Sequence, residues 1–264
     1  MNIIVTTHNG FIHDFDFENG NIIINKNIYE AHSKPSNNNI LSSAVSGNFI
    51  IFSIKSYGEI NYIGIYNMLN GDTKLNEIKI GDCISNIVPV FPGRFYASSG
   101  KTKQLLAFQF NPHTLEISDE GVHFELGDDN TKHTFFSSVY NFKGRWFGAI
   151  HDRTKHKSGC IIELSNQRII YSGLCRPCNV FFNKDDRLCF IDYGQSMIVY
   201  GDDVFRFNGL IPTAFVEDSE KNLWIAFGDN GENFIFHFDT KKQKIIEVYD
   251  ITDLGQVNSM IVFG

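Results

Sequence analysis

The feature that most constrains this chain is a strand–turn–strand unit that recurs along it. The segments VPVFPGRFYASSG, SVYNFKGRWFGAIHD, NVFFNKDDRLCFIDYG and AFVEDSEKNLWIAFGDNG fall into one register. Each is an apolar strand, a tight polar turn, a basic or amide residue and a second apolar strand. The register residues are Arg94, Arg145, Arg187 and Asn222, about 35 to 51 residues apart, and LSSAVSGNFIIFSIKSYG adds a copy with Asn48 in place. A repeat of ~45 residues built from four short strands is the pattern of a propeller blade.

The ends complete the count. GQVNSMIVFG closes the chain as an inner strand with no continuation, and MNIIVTTHNG, FIHDFDFE and NIIINKNIYEA open it as three strands with no inner partner. Joined, they make one blade and leave no open sheet edge. The expectation is therefore an all-β, six-bladed β-propeller forming a single domain over 1–264. Its blades fall at 253–264 with 1–35, then 36–82, 83–127, 128–174, 175–209 and 210–252. Helical periodicity is nearly absent, and the Asn19–Gly20 step is a hairpin signal, since that turn needs positive φ at both central residues. A β-sandwich would not produce the regular column of turns.

Composition narrows the function classes. Of 264 residues 42% are hydrophobic, the formal net charge is −7, and the only basic cluster of note is RTKHKSG at Arg153–Gly159. That cluster reads as a solvated hairpin tip, so no nucleic-acid partner is expected. No apolar run approaches the ~20 residues of a membrane span, and the N-terminus lacks the basic start and cleavage site of a secretory signal. Five cysteines without such a signal read as reduced thiols in a cytoplasmic protein.

The CxxC of Cys175 and Cys178 raises redox or zinc chemistry. A redox pair belongs at a helix N-terminus, and a zinc ribbon needs a second pair that Cys83, Cys160 and Cys189 do not supply. Cys175 and Cys189 read instead as small core residues. Cys178 falls where an inner strand starts beside the central channel, on the face where propellers usually bind ligands. Its column reads Ser85, Phe136, Cys178 and Thr213, and the next reads Asn86, Ser137, Asn179 and Ala214. Such small polar groups either hydrogen-bond a small polar ligand or satisfy strand-end backbone and hold channel waters.

The run RPCNVFFNKDDRLCFIDYG followed by LIPTAFVEDSEKNLWIAFGDNGE resembles the six-bladed senescence-marker and gluconolactonase propellers, over about a third of the chain. Strictosidine-synthase-like and NHL propellers share such blades. The resemblance implies one divalent cation in the channel. An Asn after the first Pro would be a ligand, and an Asp after the second Pro a ligand and general base. Here those positions are Cys178, after Pro177, and Thr213, after Pro212, and the family's opening Glu-Gly-Pro has no counterpart. Hard cations want oxygen ligands, so the metal-site residues are not retained. No cofactor is expected from the ligand positions; a divalent cation enters only through the resemblance.

Other chemistry gathers at the ends of second strands. His151 and Asp152, Asp192, His8 and Lys55 occupy like positions, and a His–Asp pair could poise an imidazole as a base. His133 and Arg176 precede inner strands. Asp229 reads as turn chemistry, and the acidic turns at Asp128–Asn130 and Gly201–Asp203 lack a calcium-loop pattern. No P-loop, GxSxG or HExxH is present.

Two readings follow. In the first, the channel mouth takes a sugar or lactone-like polar metabolite, lined by Asn86, Arg176, Asn179 and Thr213. If the protein is a divergent hydrolase or isomerase, His151 or Asp192 would serve as base and Cys178 as nucleophile or soft-metal ligand. In the second, the propeller is a non-catalytic platform for a protein partner, anchored by Tyr57, Tyr62 and Trp146. A monomer is expected in either case.

Overall fold

The computed structural model describes residues 2–18, 21–30, 39–55, 61–78, 84–99, 103–126, 134–229 and 231–263. Asn19–Gly20, Tyr57, Cys83, Asp128–Asn130 and His133 lie outside them, as does the side chain of Asp229. Among the described residues, twenty-four strands form six four-stranded antiparallel sheets. The first blade holds β1 (Asn2–Thr7), β2 (Phe11–Glu18) and β3 (Asn21–Glu30). The second holds β4 (Asn39–Ser46), β5 (Phe49–Lys55), β6 (Asn61–Asn67) and β7 (Thr73–Ile78). The third holds β8 (Ile84–Phe91), β9 (Arg94–Ser99), β10 (Gln104–Phe110) and β11 (Ile117–Glu125). The fourth holds β12 (Thr134–Phe142), β13 (Arg145–Asp152), β14 (Gly159–Glu163) and β15 (Arg168–Leu174). The fifth holds β16 (Pro177–Phe182), β17 (Leu188–Asp192), β18 (Met197–Tyr200) and β19 (Asp203–Arg206). The sixth holds β20 (Pro212–Glu217), β21 (Leu223–Asp229), β22 (Glu232–Asp239) and β23 (Lys244–Asp250). The last strand, β24 (Val257–Phe263), pairs with β1 and completes the first blade, as expected.

The sheets radiate from the channel, so both faces of each inner and second strand are covered. That is why FIIF in β5 runs apolar without alternating: Ile50 packs toward the first blade and Ile51 toward the third. The described apolar core divides into six clusters, one at each blade-to-blade junction. Gly64 shows how tight these are, since a Cβ there would come 2.2 Å from the ring of buried Phe52. Outer strands lose the second cover, and Arg168–Ser172 in β15 and Lys244–Val248 in β23 are exposed.

The repeated basic column has a structural role. Arg94 pairs with Glu120 at 2.8 Å and Arg145 with Glu163 at 2.7 Å, while Arg187 pairs with Asp202. Each ties the start of a second strand to an acid further out in its own blade. The Arg145 guanidinium holds the Glu163 carboxyl down to about 2. The turns are also linked between blades, by Lys143–Asp186 and by Lys221–Asp185 at 2.6 Å.

Each of the six inner strands carries a two-against-one β-bulge at the same level. The extra residue is Leu41, Ser85, Ser137, Thr213 or Asn258, and in β16 Asn179 and Val180 together face Phe190. Beside the bulges, side chains bond across to the next blade. The hydroxyl of Ser42 accepts the Ile87 N–H at 3.1 Å, Asn86 Oδ1 accepts that of Val139 at 2.9 Å, and Ser138 Oγ accepts that of Val180 at 3.0 Å. Ser85 donates to the Phe136 carbonyl at 3.1 Å, Ser137 donates to that of Pro177, and Asn258 donates to that of Ile40. Inner strands have one edge with no strand partner, and between the first and fifth blades these bonds satisfy part of it.

Replacing Ser138 by Ala strands the buried Val180 N–H. A loss of ~1–3 kcal/mol is expected, as for other buried donors left unpaired. Chemical denaturation of the variant beside a Thr213→Ala control measures it, because the Thr213 hydroxyl donates within its own blade, to Ala226 O at 3.3 Å, and has no other partner among the described residues.

Candidate functional site

The bulge ring divides the channel into two halves. Inner strands begin on one face, called here the entry face, and the second strands end there, since Asn39 faces Lys55, Thr134 faces Asp152 and Pro177 faces Asp192. The opposite face carries the turns between inner and second strands. A cavity of about 520 Å³ lies on the turn side of the bulges, lined by the inner strands of every blade but the second. Its inner end is set by Asn86, Ser138 and Asn179, its walls by residues such as Val139, Val180 and Met260, and its outer end by Asn141, Lys184 and Glu217.

Of the expected binding residues, the structure brings Asn86 and Asn179 together in this cavity and leaves Arg176 and Thr213 out of its lining. This cavity lies beyond the bulges, on the turn side, and not at the inner-strand starts.

Asn179 stands apart from the other polar groups here. It occupies the bulge of β16 with φ of +52°, a left-handed backbone that Asn tolerates better than most residues. Its half-buried amide has no hydrogen-bond partner among the described residues. Asn86 gives its Oδ1 to Val139 but keeps Nδ2 for other use. Groups at the outer end are committed. Glu217 accepts from Tyr200 Oη at 2.9 Å and from the Lys184 N–H at 3.0 Å, and Lys184 Nζ donates to the Asp218 carbonyl at 2.9 Å.

The registers correct two polar columns. Phe136 and Cys178 align with Ile84 and Pro212, one step before the bulge, and the bulge column is Ser85, Ser137, Asn179 and Thr213. A one-residue slip sends a strand side chain to the opposite face. Cys178 thus packs into the core between the fifth and sixth blades, beside Phe181 and Phe215, and not into the channel ring. Burial, with the charge of Asp192, pushes its thiol up to about 12. It is protonated near neutral pH, which does not fit the nucleophile or soft-metal role expected of it.

Asp192 has a different occupation from the base expected. It is fully buried, and its carboxylate accepts the N–H groups of Cys175 and Arg176, each at 2.9 Å, and the Gln195 amide. It fixes the turn that leads into β16. His151 lies opposite Phe135, and burial holds its imidazole below the ordinary histidine value. Arg153 and Arg176 add to that, against Asp152 and Asp192. Its Nδ1 is buried without a hydrogen-bond partner among the described residues. Asp152 does not pair with it through a described hydrogen bond; that carboxylate accepts from Thr154 N at 2.8 Å and from the Thr154 hydroxyl at 2.6 Å. His8 approaches Asn258 at 3.3 Å. The expected cluster of His8, Lys55, His151 and Asp192 shares one face, and no described hydrogen bond joins any two of its members.

The positions that the resemblance assigns to a cation do not suit one. Cys178 offers a buried, protonated thiol, and the Thr213 hydroxyl is given to Ala226. Among the described residues no three His, Cys, Asp or Glu side chains converge. The expected platform anchors are also packed: Tyr62 lies against the junction of the first and second blades, and Trp146 stacks edge-on to Tyr96 at 4.6 Å. Sequence patterning named Asn179 as a lining residue but did not distinguish it from its neighbours as an amide with no hydrogen-bond partner among the described residues. Its signal was the Asn-Val-Phe-Phe run after Pro177, and its meaning depended on where the bulge fell.

No family model matches the chain, and no curated protein matches it. Solved structures do. A chain of the nidogen/laminin complex superposes with a TM-score of 0.72 at 12% identity, covering 98% of this chain and 97% of that one. Luciferin-regenerating enzyme gives 0.65 at 15% identity, covering 83% and 78%. Regucalcin from Agrobacterium tumefaciens str. C58, described as a calcium-binding protein, gives 0.60 at 13% identity, covering 80% and 74%. The expected likeness to senescence-marker-type propellers is present as a likeness of fold.

Burial lowers the titration of His8, His13 and His151 from the ordinary 6.5. Below that value the unfolded chain binds more protons than the folded one, so stability falls as pH drops through about 6.5. His13 is almost fully buried among Phe11 and Phe15, with neither ring nitrogen hydrogen-bonded among the described residues. Melting temperature is expected to drop between pH values of about 7.5 and 5.5, and less steeply in His13→Phe.

Proposed function

We propose that this propeller binds a small polar molecule, of the sugar or lactone class, inside the central channel, as a monomeric single domain in the cytoplasm. The observation that carries this reading is the cavity with Asn179 at its head. Its volume lies in the ~300–1,000 Å³ range of small-molecule sites, which combine apolar walls with a few convergent polar groups. The Asn179 amide can donate and accept, Asn86 Nδ2 can donate, and the Ser138 hydroxyl can still donate. That set suits neighbouring hydroxyl and carbonyl oxygens on one ligand, with Val139 and Val180 against its carbon skeleton. The four described cysteines are free thiols, in keeping with a reducing compartment.

Binding without turnover is the reading that the wall supports. The titratable groups named on it are Tyr140, Lys184 and Glu217, and burial raises Tyr140 while the other two are bonded. A catalytic version would have to use His151 from the entry face. The structural likeness to luciferin-regenerating enzyme supports a small-molecule role only as analogy. A second reading, a platform for a protein partner, draws on exposed Ile169, Ile170 and Tyr171 in β15 and Ile245, Ile246 and Val248 in β23. These lie on the rim, away from the channel.

A calorimetric screen of neutral sugars, sugar acids and lactones tests the proposal. At least one compound is expected to bind, and Asn179→Gly, which keeps the left-handed backbone and deletes the amide, should weaken it at least ~10-fold. No binder, or an affinity that Asn179→Gly leaves unchanged, would sink the reading.

A further inference from the structure

Three of the four described cysteines are poor nucleophiles. Burial pushes the thiols of Cys178 and Cys189 up to about 12 and that of Cys160 to about 11. Cys175 is placed differently from the core position expected for it. It is half-buried in the turn between β15 and β16 on the entry face, with its N–H held by Asp192 at 2.9 Å. Its Sγ lies 3.4 Å from Nδ1 of His156, an exposed residue at the tip of the β13–β14 hairpin.

Two further features make this pair a site and not a stray contact. The first is room: a Cβ at position 194 would come within 2.6 Å of the Cys175 Cβ and Sγ, so Gly194 is what lets the thiol sit there. The second is charge. The hairpin brings Arg153, Lys155 and Lys157 and the turn brings Arg176, all exposed. Facing them are Asp152, which Lys155 approaches at 3.6 Å, and Asp192, whose oxygens are taken by backbone and Gln195. Tyr193 and His151 complete the titratable surround. The imidazole beside the thiol is placed to take its proton as the sulfur reacts, and the surrounding cations suit an anionic reaction partner.

The geometry points to the Cys175–His156 pair as a thiol–disulfide exchange site for small anionic disulfides. His156 takes the proton of the Cys175 thiol, and the thiolate attacks one sulfur of the disulfide. A new S–S bond forms to Cys175 as the old one breaks. The other half leaves as a thiolate and recovers the proton from His156. The Cys175 sulfur is oxidised, the departing sulfur is reduced by the same electron pair, and the protein ends as a mixed disulfide. Arg153 and Arg176 supply counter-charge for carboxylates on the ligand. This site is independent of the channel cavity.

The test is the rate of thiol modification of the folded protein by bis(carboxynitrophenyl) disulfide, which is anionic, and by dipyridyl disulfide, which is not. Oxidised glutathione is run in parallel, with the adduct read by intact mass. One fast-reacting thiol is expected near neutral pH, and it should vanish in Cys175→Ser. His156→Gln should slow it at least ~10-fold while leaving the rate of the same thiol in the urea-unfolded chain unchanged. Arg176→Gln, or added salt, should erase much of the preference for the anionic probe. A fast phase that persists in Cys175→Ser, or a His156→Gln variant as reactive as wild type, overturns the proposal. If His156→Gln does not fold, the wild-type rate decides: a Cys175 thiol that reacts no faster in the folded protein than in the urea-unfolded chain also overturns it.

Discussion

Everything else in this structure depends on how six inner strands end their hydrogen bonding at the channel. An inner strand has a partner on one side only, and its other edge faces its neighbours around a ring. Left bare, that row of donors and acceptors would invite other strands or demand water. Here a bulge at one level in each inner strand frees a residue, and short side chains beside it reach the next blade. Ser42, Asn86 and Ser138 accept from Ile87, Val139 and Val180, and Ser85, Ser137 and Asn258 donate to carbonyls at neighbouring strand starts. Small polar residues are needed because a longer side chain would fill the channel and an apolar one would leave the edge unpaired.

The same constraint explains what can and cannot be a site. A hydroxyl hydrogen given to the ring is not free for a ligand, which removes Ser85 and Ser137 from consideration and leaves only the unused donors of Asn86 and Ser138 beside Asn179. Asn179 departs from that pattern: Ser85, Ser137 and Asn258 in its column reach the next blade, whereas the left-handed Asn179 has no hydrogen-bond partner among the described residues and leaves its amide at the head of the cavity. Asp192 is withdrawn for an analogous reason, since it anchors the turn that starts the same strand. Chemistry that looked catalytic in sequence is thus largely architecture, and the groups left over are an amide in the channel and a thiol on the rim.

Charge follows the blades in the same way. Arg94, Arg145 and Arg187 each pair with an acid inside their own blade, and Lys143 and Lys221 link blade turns to one another. Most of these pairs are exposed, where an ion pair contributes little stability. Their regularity suits a role in orienting turns. The apolar junctions between blades carry the bulk of the burial, which is why the outermost strands, lacking a second neighbour, show exposed isoleucines.

Turn chemistry and apolar runs are local properties, so blade number, blade boundaries and ring closure could be read directly from the chain. VFFNKDDRLCF reads as strand, turn and strand whatever surrounds it. The exact facing of Cys178 could not be read, because one inserted residue in a bulge reverses every side chain before it relative to those after it. Patterning placed Phe136 and Cys178 beside Ser85 and Thr213, and the strand pairings move both by one. The proximity of Cys175 and His156 was equally hidden. The two lie on different turns, 19 residues apart, and come together only because the fourth and fifth blades meet at one edge of the entry face. Periodicity specifies which elements form; contacts between elements, and with them the state of each thiol and carboxylate, arise from packing that no local pattern encodes.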